Sequence, residues 1–391
     1  MERLNLPNIK PQNPCKEFCG LRTASCGGCH EEASYRANLS NNSPKKIDIL
    51  SFTLAELTES FEDNGFLKFR AKQVFDWLHD KKVGDFSLMT NLAKDLQENL
   101  SEYYVITNLD VRRHLESQKG DTTKFLFGLS DNNTIEAVLM RHNHGNSLCI
   151  SSQVGCKMGC RFCASGMNGL VRNLTASEML AQVYASEKAT NKKVNSIVIM
   201  GIGEPLDNFE NLLVFLERLQ SSYKMSLRHV SLSTCGICDK IDELAKLNLG
   251  LTLSISLHAV DDDCRSEIMP VNRKFGISRL LQSCREYFKA TGRRISFEYA
   301  LIAGVNDSAD DAKKLTALLT NKETGMPRGS FHVNLIPVNE IGVTEYIKSG
   351  NAEKFRKALE RRRVNATIRR TMGSDIEAAC GQLRQRDIEL K

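Results

Sequence analysis

Between residues 147 and about 370 the chain alternates six times between apolar, β-rich runs and helix-period stretches. The runs fall at residues 148–151, 196–200, 229–233, 251–256, 295–301 and 331–336, and helical patterns such as 176–189, 209–219 and 309–319 lie between them. Strands joined through helices return to the same end of a sheet and pair in parallel, with the helices packed outside. Six successive units predict an α/β fold, a partial (βα)6 TIM-like barrel at 146–370, with reactive groups at the carboxyl ends of its strands. A further extended run, 366–370, follows the sixth unit.

Upstream the patterning changes. Residues 1–45 carry Pro7, Pro11, Pro14 and four cysteines, and end in a polar linker-like run at 40–46. From 46 to 105 the spacing of Leu54, Leu57 and Phe61, and of Val74, Phe75 and Leu78, predicts a small helical domain broken at Gly65 and Gly84. Its lysines and arginines (Lys68, Arg70, Lys72, Lys81, Lys82, Lys94) interleave with Phe66, Phe69, Phe75, Trp77 and Phe86. That pattern suits a packed core with solvated cations, or a basic RNA-binding face. Residues 122–128 and 134–140 alternate like a hairpin about Asp131-Asn132-Asn133, so 106–145 reads as a β-hairpin linker and 371–391 as a C-terminal loop and tail.

The 391 residues carry 53 Lys and Arg against 47 Asp and Glu, a surplus of six that is weak support for an anionic partner. A hydrophobic content of 41% excludes disorder as the main state. No leader-like or membrane-length apolar run is present, so a cytoplasmic location with no membrane partner is expected. In a reducing compartment, 13 cysteines point to metal, iron–sulfur or redox chemistry instead of a disulfide scaffold.

The chemistry concentrates in Cys156-x3-Cys160-x2-Cys163, just after the first barrel strand, with Phe162 before the last cysteine. Iron–sulfur clusters usually take four thiolates. Three at this spacing leave one iron open for a ligand, whereas a structural zinc knuckle needs a fourth donor and none is suitably placed. The loop Gly201-Ile202-Gly203-Glu204-Pro205 follows the next strand and offers close backbone approach and a carboxylate. Ser233, the triplet Ser256-Leu257-His258, and Asn339 sit at the ends of later strands.

The cysteine motif resembles that of the radical S-adenosylmethionine (SAM) enzymes. With LCISSQVGC at 148–156, GIGEPL, ISLHAV, the upstream FRAKQVFDWLHDKK run and GSDIEAACGQL at 373–383, the chain resembles the RlmN/Cfr methyltransferases from about residue 50 to 385, and the RlmN branch in particular. The resemblance implies a radical SAM barrel, a [4Fe–4S] cluster on Cys156, Cys160 and Cys163, and SAM held at Gly203, Glu204, Ser233, Ser256, Leu257, His258 and Asn339. It implies methylation of adenine C2 in 23S ribosomal RNA and in transfer RNA. C2 is electron-poor, so a methyl cation equivalent cannot alkylate it, but a carbon radical can add to it. On matching positions, Cys380 takes a methyl from one SAM, and a second SAM supplies the radical that activates it. Glu136 removes the C2 proton, and Cys149 releases the product through a disulfide with Cys380. Read on their own, Glu136 could equally be a surface glutamate and Cys149 a buried strand cysteine.

Two departures are visible: Cys235 stands where a small polar residue is usual in the family, and Met372 where arginine is common. Arg361–Arg363, Arg369 and Arg370 are candidate phosphate contacts. Further expectations are a monomer and an electron donor such as flavodoxin with its reductase, or ferredoxin. Cys15, Cys19, Cys26 and Cys29, outside the family core, could hold zinc or a second cluster, or form a redox-sensitive tail. The rival functions are Cfr-like methylation at C8 and a non-catalytic iron–sulfur RNA-binding protein.

Overall fold

The computed structural model describes residues 46–338, 346–370 and 372–376. Cys15, Cys19, Cys26, Cys29, Asn339 and Cys380 lie outside the described residues. The chain opens with β1 (Ile47–Asp48) and the helices α1 (Leu54–Asp63), α2 (Lys68–His79) and α3 (Lys94–Tyr103). Strand β2 (Tyr104–Val105) closes this unit by pairing in parallel with β1. Helix α1 starts where Thr53 and Glu56 satisfy each other's backbone N–H groups in a capping box, and Leu57 and Phe61 fill the unit's core.

Next come β3 (Asp110–Glu116), β4 (Thr122–Gly128), β5 (Thr134–His142) and β6 (Gly145–Cys149), then a short pair, β7 (Gln153–Gly155) and β8 (Leu170–Asn173). Alternation then takes over: α4 (Ala176–Thr190), β9 (Ser196–Ile199), α5 (Phe209–Ser221), β10 (Val230–Thr234), α6 (Cys238–Leu247) and β11 (Thr252–Ser256). It continues through α7 (Asp262–Ile268), α8 (Ile277–Thr291), β12 (Ile295–Leu301), α9 (Ala309–Thr320), β13 (Phe331–Pro337), α10 (Ala352–Arg361) and β14 (Ala366–Ile368).

One ten-stranded sheet runs β14-β13-β12-β11-β10-β9-β6-β5-β4-β3. From β6 to β14 the pairing is parallel, through six helical crossovers, and the run at 366–370 supplies the seventh parallel strand. The expected hairpin at 106–145 is not a linker. It gains β3 and continues the barrel sheet in antiparallel register, with Val138 opposite Cys149. The physical reason is the edge of β6, whose backbone groups would otherwise go unpaired.

Register divides the sheet by chemistry. Ile197, Ile199, Leu232, Leu253, Ile255, Phe297, Val333 and Leu335 share one face and are buried among the helices. The opposite, concave face carries Lys124, Glu136, Cys149, Ser231, Ser233, Ser254, Ser256, Ser296, Glu298, Asn334 and Thr367. Fully covered parallel sheets are apolar on both faces. Polar residues at every second position therefore mark a lumen that must hold something polar.

The helical unit docks on α4 and α5 through polar groups as well as the shared core. Lys82 pairs with Glu187, which also accepts from Tyr223 Oη and Val194 N. Arg218 donates to Glu56 at 2.8 Å and to Ser51 O. His79, buried, meets Tyr184 Oη at 2.8 Å, and burial lowers its pKa from 6.5 to about 4. The unfolded chain therefore binds a proton that the folded chain refuses, and stability falls as pH drops from about 6.5 towards 4. A shift of this size corresponds to roughly 3 kcal/mol. A His79→Asn variant should show a shallower fall in melting temperature than the wild type across that window; equal slopes would contradict this account.

Candidate active site

The cysteine loop leaves the sheet immediately after β6. Its two ends are tied together by Cys156 N donating to Gly169 O at 2.9 Å, beside the β7–β8 pair. Gly155 makes this closure possible: its φ is +76°, and a Cβ there would lie 2.0 Å from Gly169 O. Between these ends, Cys156, Cys160 and Cys163 are all partly exposed. Burial pushes the Cys156 thiol up to about 12 and holds Cys160 higher still, with each thiolate opposing the others. Thiols that resist ionisation in a loop of three cysteines fit a bound metal centre, whose positive charge is what turns thiols into thiolates. Among the described residues, no three His, Cys, Asp or Glu side chains converge on a single metal ion. A cluster does not ask for that, because each thiolate binds a different iron, so the donor set suits a cluster with an open corner better than a zinc ion. Phe162 sets its ring against His258 at 4.8 Å, close to perpendicular.

The glycine-rich loop after β9 is locked to this strand. Ser151 Oγ donates to Glu136 O and accepts from Ile202 N, while Gln153 Oε1 accepts from Glu204 N at 2.8 Å. Gly203 has φ +105°, and an added Cβ would sit 2.5 Å from Gln153 Cβ. A Gly203→Ala variant should lose about 2 kcal/mol or more and melt several degrees lower, with the cofactor loop displaced; an unchanged melting temperature would contradict the strain.

The Glu204 carboxylate is held by the backbone: Oε2 accepts from Cys235 N at 2.7 Å and Oε1 from Leu206 N at 3.0 Å. Burial raises its pKa, and those backbone donors work against the rise. The side chain ties the loop to the end of β10.

Ser233 and Ser256 face the lumen on β10 and β11, and Leu257 is fully buried. His258 takes φ +56°, accepts from Ala300 N on Nδ1 at 2.9 Å, and is held neutral by burial, with its pKa lowered to about 3. The remaining ring proton therefore sits on Nε2, available as a donor.

Glu136 is no surface residue. It is 3% exposed on the lumen face, with its Oε2 3.7 Å from the amine of Lys124, which has no exposure at all. Cys149 is buried on the same face, opposite Val138, and so is a diagonal neighbour of Glu136, roughly 7 Å away by strand geometry. Of the candidate phosphate contacts, Arg361–Arg363 and Arg370 are exposed, whereas Arg369 reaches Met200 Sδ at 3.8 Å.

Sequence reading missed Lys124, Glu298 and Asn334. Glu298 is buried in the lumen, where Ser296 Oγ and Asn334 Nδ2 donate to it at 2.9 and 2.7 Å, and burial raises its pKa. The period-two serines of β10 and β11 were the available signal.

A partial parallel barrel with a three-thiol loop at its carboxyl end defines a radical SAM domain, and the Radical SAM superfamily model matches residues 150–316. The ribosomal RNA large subunit methyltransferase N-terminal domain model matches residues 47–106, the helical unit. A probable dual-specificity RNA methyltransferase RlmN of Clostridium perfringens is 49% identical over 88% of this chain and 98% of its own length. One from Lachnoclostridium phytofermentans is 50% identical over 87% and 95%. The crystal structure of a radical SAM methyltransferase from Sphaerobacter thermophilus superposes with a TM-score of 0.81 at 39% identity, over 86% of this chain and 98% of that one. The chain belongs to the RlmN family of radical SAM methyltransferases. That family implies a [4Fe–4S] cluster and SAM. No helix among the described residues is long and apolar enough to cross a membrane.

Proposed function

We propose that this enzyme methylates C2 of an adenosine in 23S ribosomal RNA and in transfer RNA, through an S-methylated Cys380 and two SAM per product. The observation that carries the reading is the placement of Glu136, Lys124 and Cys149 on one lumen face of the sheet whose strand β6 leads into the three-thiol loop. Cys156, Cys160 and Cys163 would hold the cluster. The backbone at Gly203 and Glu204, with Ser233, Ser256, Leu257 and His258, would hold SAM, and Asn339, outside the described residues, joins them by resemblance. When bound, cluster and SAM together supply a one-electron route to a carbon radical.

The chain's own residues do the rest. Cys380, also outside the described residues, carries the methyl group as a thioether and, once that group has lost a hydrogen atom, delivers its methylene carbon to C2. Glu136 accepts the C2 proton on its carboxylate, whose Oε2 lies 3.7 Å from the Lys124 amine. Cys149 bonds to the Cys380 sulfur as the sulfur–methylene bond breaks. The carbon takes up a proton to become the methyl group, the unpaired electron left by radical addition passes to a one-electron acceptor, and a Cys149–Cys380 disulfide remains for an external dithiol to reduce. C2 faces the minor groove within a paired stack, so the adenosine must be extruded or already unpaired. The exposed Arg361–Arg363 and the cations of the helical unit suit its phosphates. An electron donor such as flavodoxin or ferredoxin, a monomeric state and a cytoplasmic location complete the reading.

The test is the product. Digested RNA from the reconstituted enzyme should yield a nucleoside that co-elutes with 2-methyladenosine, while co-elution with 8-methyladenosine would assign Cfr-like chemistry.

A further inference from the structure

Arg265, on α7, has no solvent exposure, yet its partners are all neutral. Nε donates to Leu257 O at 3.0 Å, Nη1 to Asn272 Oδ1 at 2.8 Å, and Nη2 to Cys235 O and Ser256 O at 2.7 and 2.9 Å. A longer contact reaches Phe275 O at 3.5 Å. Two carboxylates lie one group further out, Asp262 beyond Asn272 and the buried Glu204 beyond Cys235, and among the described residues none pairs directly with the guanidinium. Glu267 pairs with Arg161, Asp207 with Lys157, and Asp262 accepts from Asn272 Nδ2 and Ile277 N. A guanidinium cannot shed its proton to escape burial. A buried charge without a directly contacting counter-charge is costly, so full enclosure of this one suits a further negative partner among the groups the enzyme binds.

Its surroundings say which. The guanidinium spans the carboxyl ends of β10 and β11, under the mouth of the barrel. Cys235, whose carbonyl it holds, packs in one small apolar cluster with Cys160, Ile268 and Met269, and Arg161 N donates to Ile268 O at 3.0 Å.

We propose that Arg265 is the built-in counter-charge of the iron–sulfur cluster and raises its reduction potential, easing the electron transfer that starts each turnover. Three thiolates give an oxidised [4Fe–4S] site a net negative charge, and reduction adds another negative charge. A fixed cation in low dielectric therefore stabilises the reduced form more than the oxidised one. Tying two strand ends together needs donors but not charge, and the charge is what the clamp alone leaves unexplained. The inference rests on Cys156, Cys160 and Cys163 being the cluster ligands.

The test is an anaerobic redox titration of the reconstituted full chain, followed by electron paramagnetic resonance, with iron counted per chain. Arg265→Gln keeps donors and removes the charge; Arg265→Lys keeps the charge with a poorer clamp. At a fixed potential, the ratio of reduced to oxidised cluster should fall at least tenfold in Arg265→Gln, a midpoint lower by about 59 mV for one electron. In Arg265→Lys it should stay within about threefold of the wild type. The difference should be present without SAM. A fully loaded Arg265→Gln protein at the wild-type midpoint overturns the proposal, as does a shift that appears only with SAM, which would make the SAM carboxylate the partner. If Arg265→Gln does not hold four irons, Arg265→Lys decides: a wild-type midpoint supports the charge, and a tenfold fall overturns it. Failure of the ligand assignment looks different, because the wild type would then bind no cluster to titrate.

Discussion

Alanine at Cys156, Cys160 or Cys163 should bring iron from about four per chain to near zero and lower deoxyadenosine formation by roughly a thousandfold or more. The site has no spare ligand: three thiolates already leave one iron for SAM, and two cannot hold the cluster. Cys235 is the informative control, because it packs in the same apolar cluster as Cys160. It is buried, its thiol is pushed well above the usual range, and its backbone already serves Glu204 and Arg265. Cys235→Ser should therefore retain full iron content. If it lost iron as the three loop variants do, the open corner would be closed by a fourth thiolate and the site could not bind SAM as proposed.

A second large effect is expected at the lumen pair. Cys149→Ala should accumulate RNA joined covalently to Cys380, seen as a shifted band on a denaturing gel, while Cys380→Ala forms none. Cys149 acts after the carbon–carbon bond forms, so its loss blocks release without blocking attack. Glu136→Gln keeps the side chain's volume but cannot accept a proton. It should slow methylated product by about 10²- to 10⁴-fold, the range for a positioned general base. SAM cleavage in the Glu136→Gln enzyme should continue. If cleavage and methylation fell together, Glu136 would be supporting the fold of β5 and not the proton transfer. Active SAM cleavage with no crosslink in Cys149→Ala would remove the assigned thiol roles.

Much of this arrangement can be read from the chain, for identifiable reasons. The parallel core follows from alternation, since the apolar residues of 196–200 and 295–301 need helices to cover them. The cysteine motif is legible because a loop ligand set is local in sequence. What the sequence hides is non-local. Nothing near Glu136 says that Lys124, twelve residues earlier, will be sealed against it; only the β4–β5 register does, with Leu126 opposite Glu136 and Lys124 opposite Val138. A polar residue in a hairpin looks exposed until β6 is found to pair with β5. Glu204 shows the same limit: nothing in its loop says that the carboxylate will accept from the N–H groups of Leu206 and Cys235. Arg265 gives no local signal, because its acceptors come from β10, β11 and the turn after α7.

The most direct measurement combines metal analysis with a single-turnover assay under strict anaerobiosis. The reconstituted protein should be brown, hold about four irons per chain, and release deoxyadenosine on addition of SAM and dithionite. With RNA present, methylated adenosine should appear in step with deoxyadenosine. A colourless protein carrying only zinc at Cys156, Cys160 and Cys163, or RNA methylation that proceeds without any deoxyadenosine, would contradict the one-electron route.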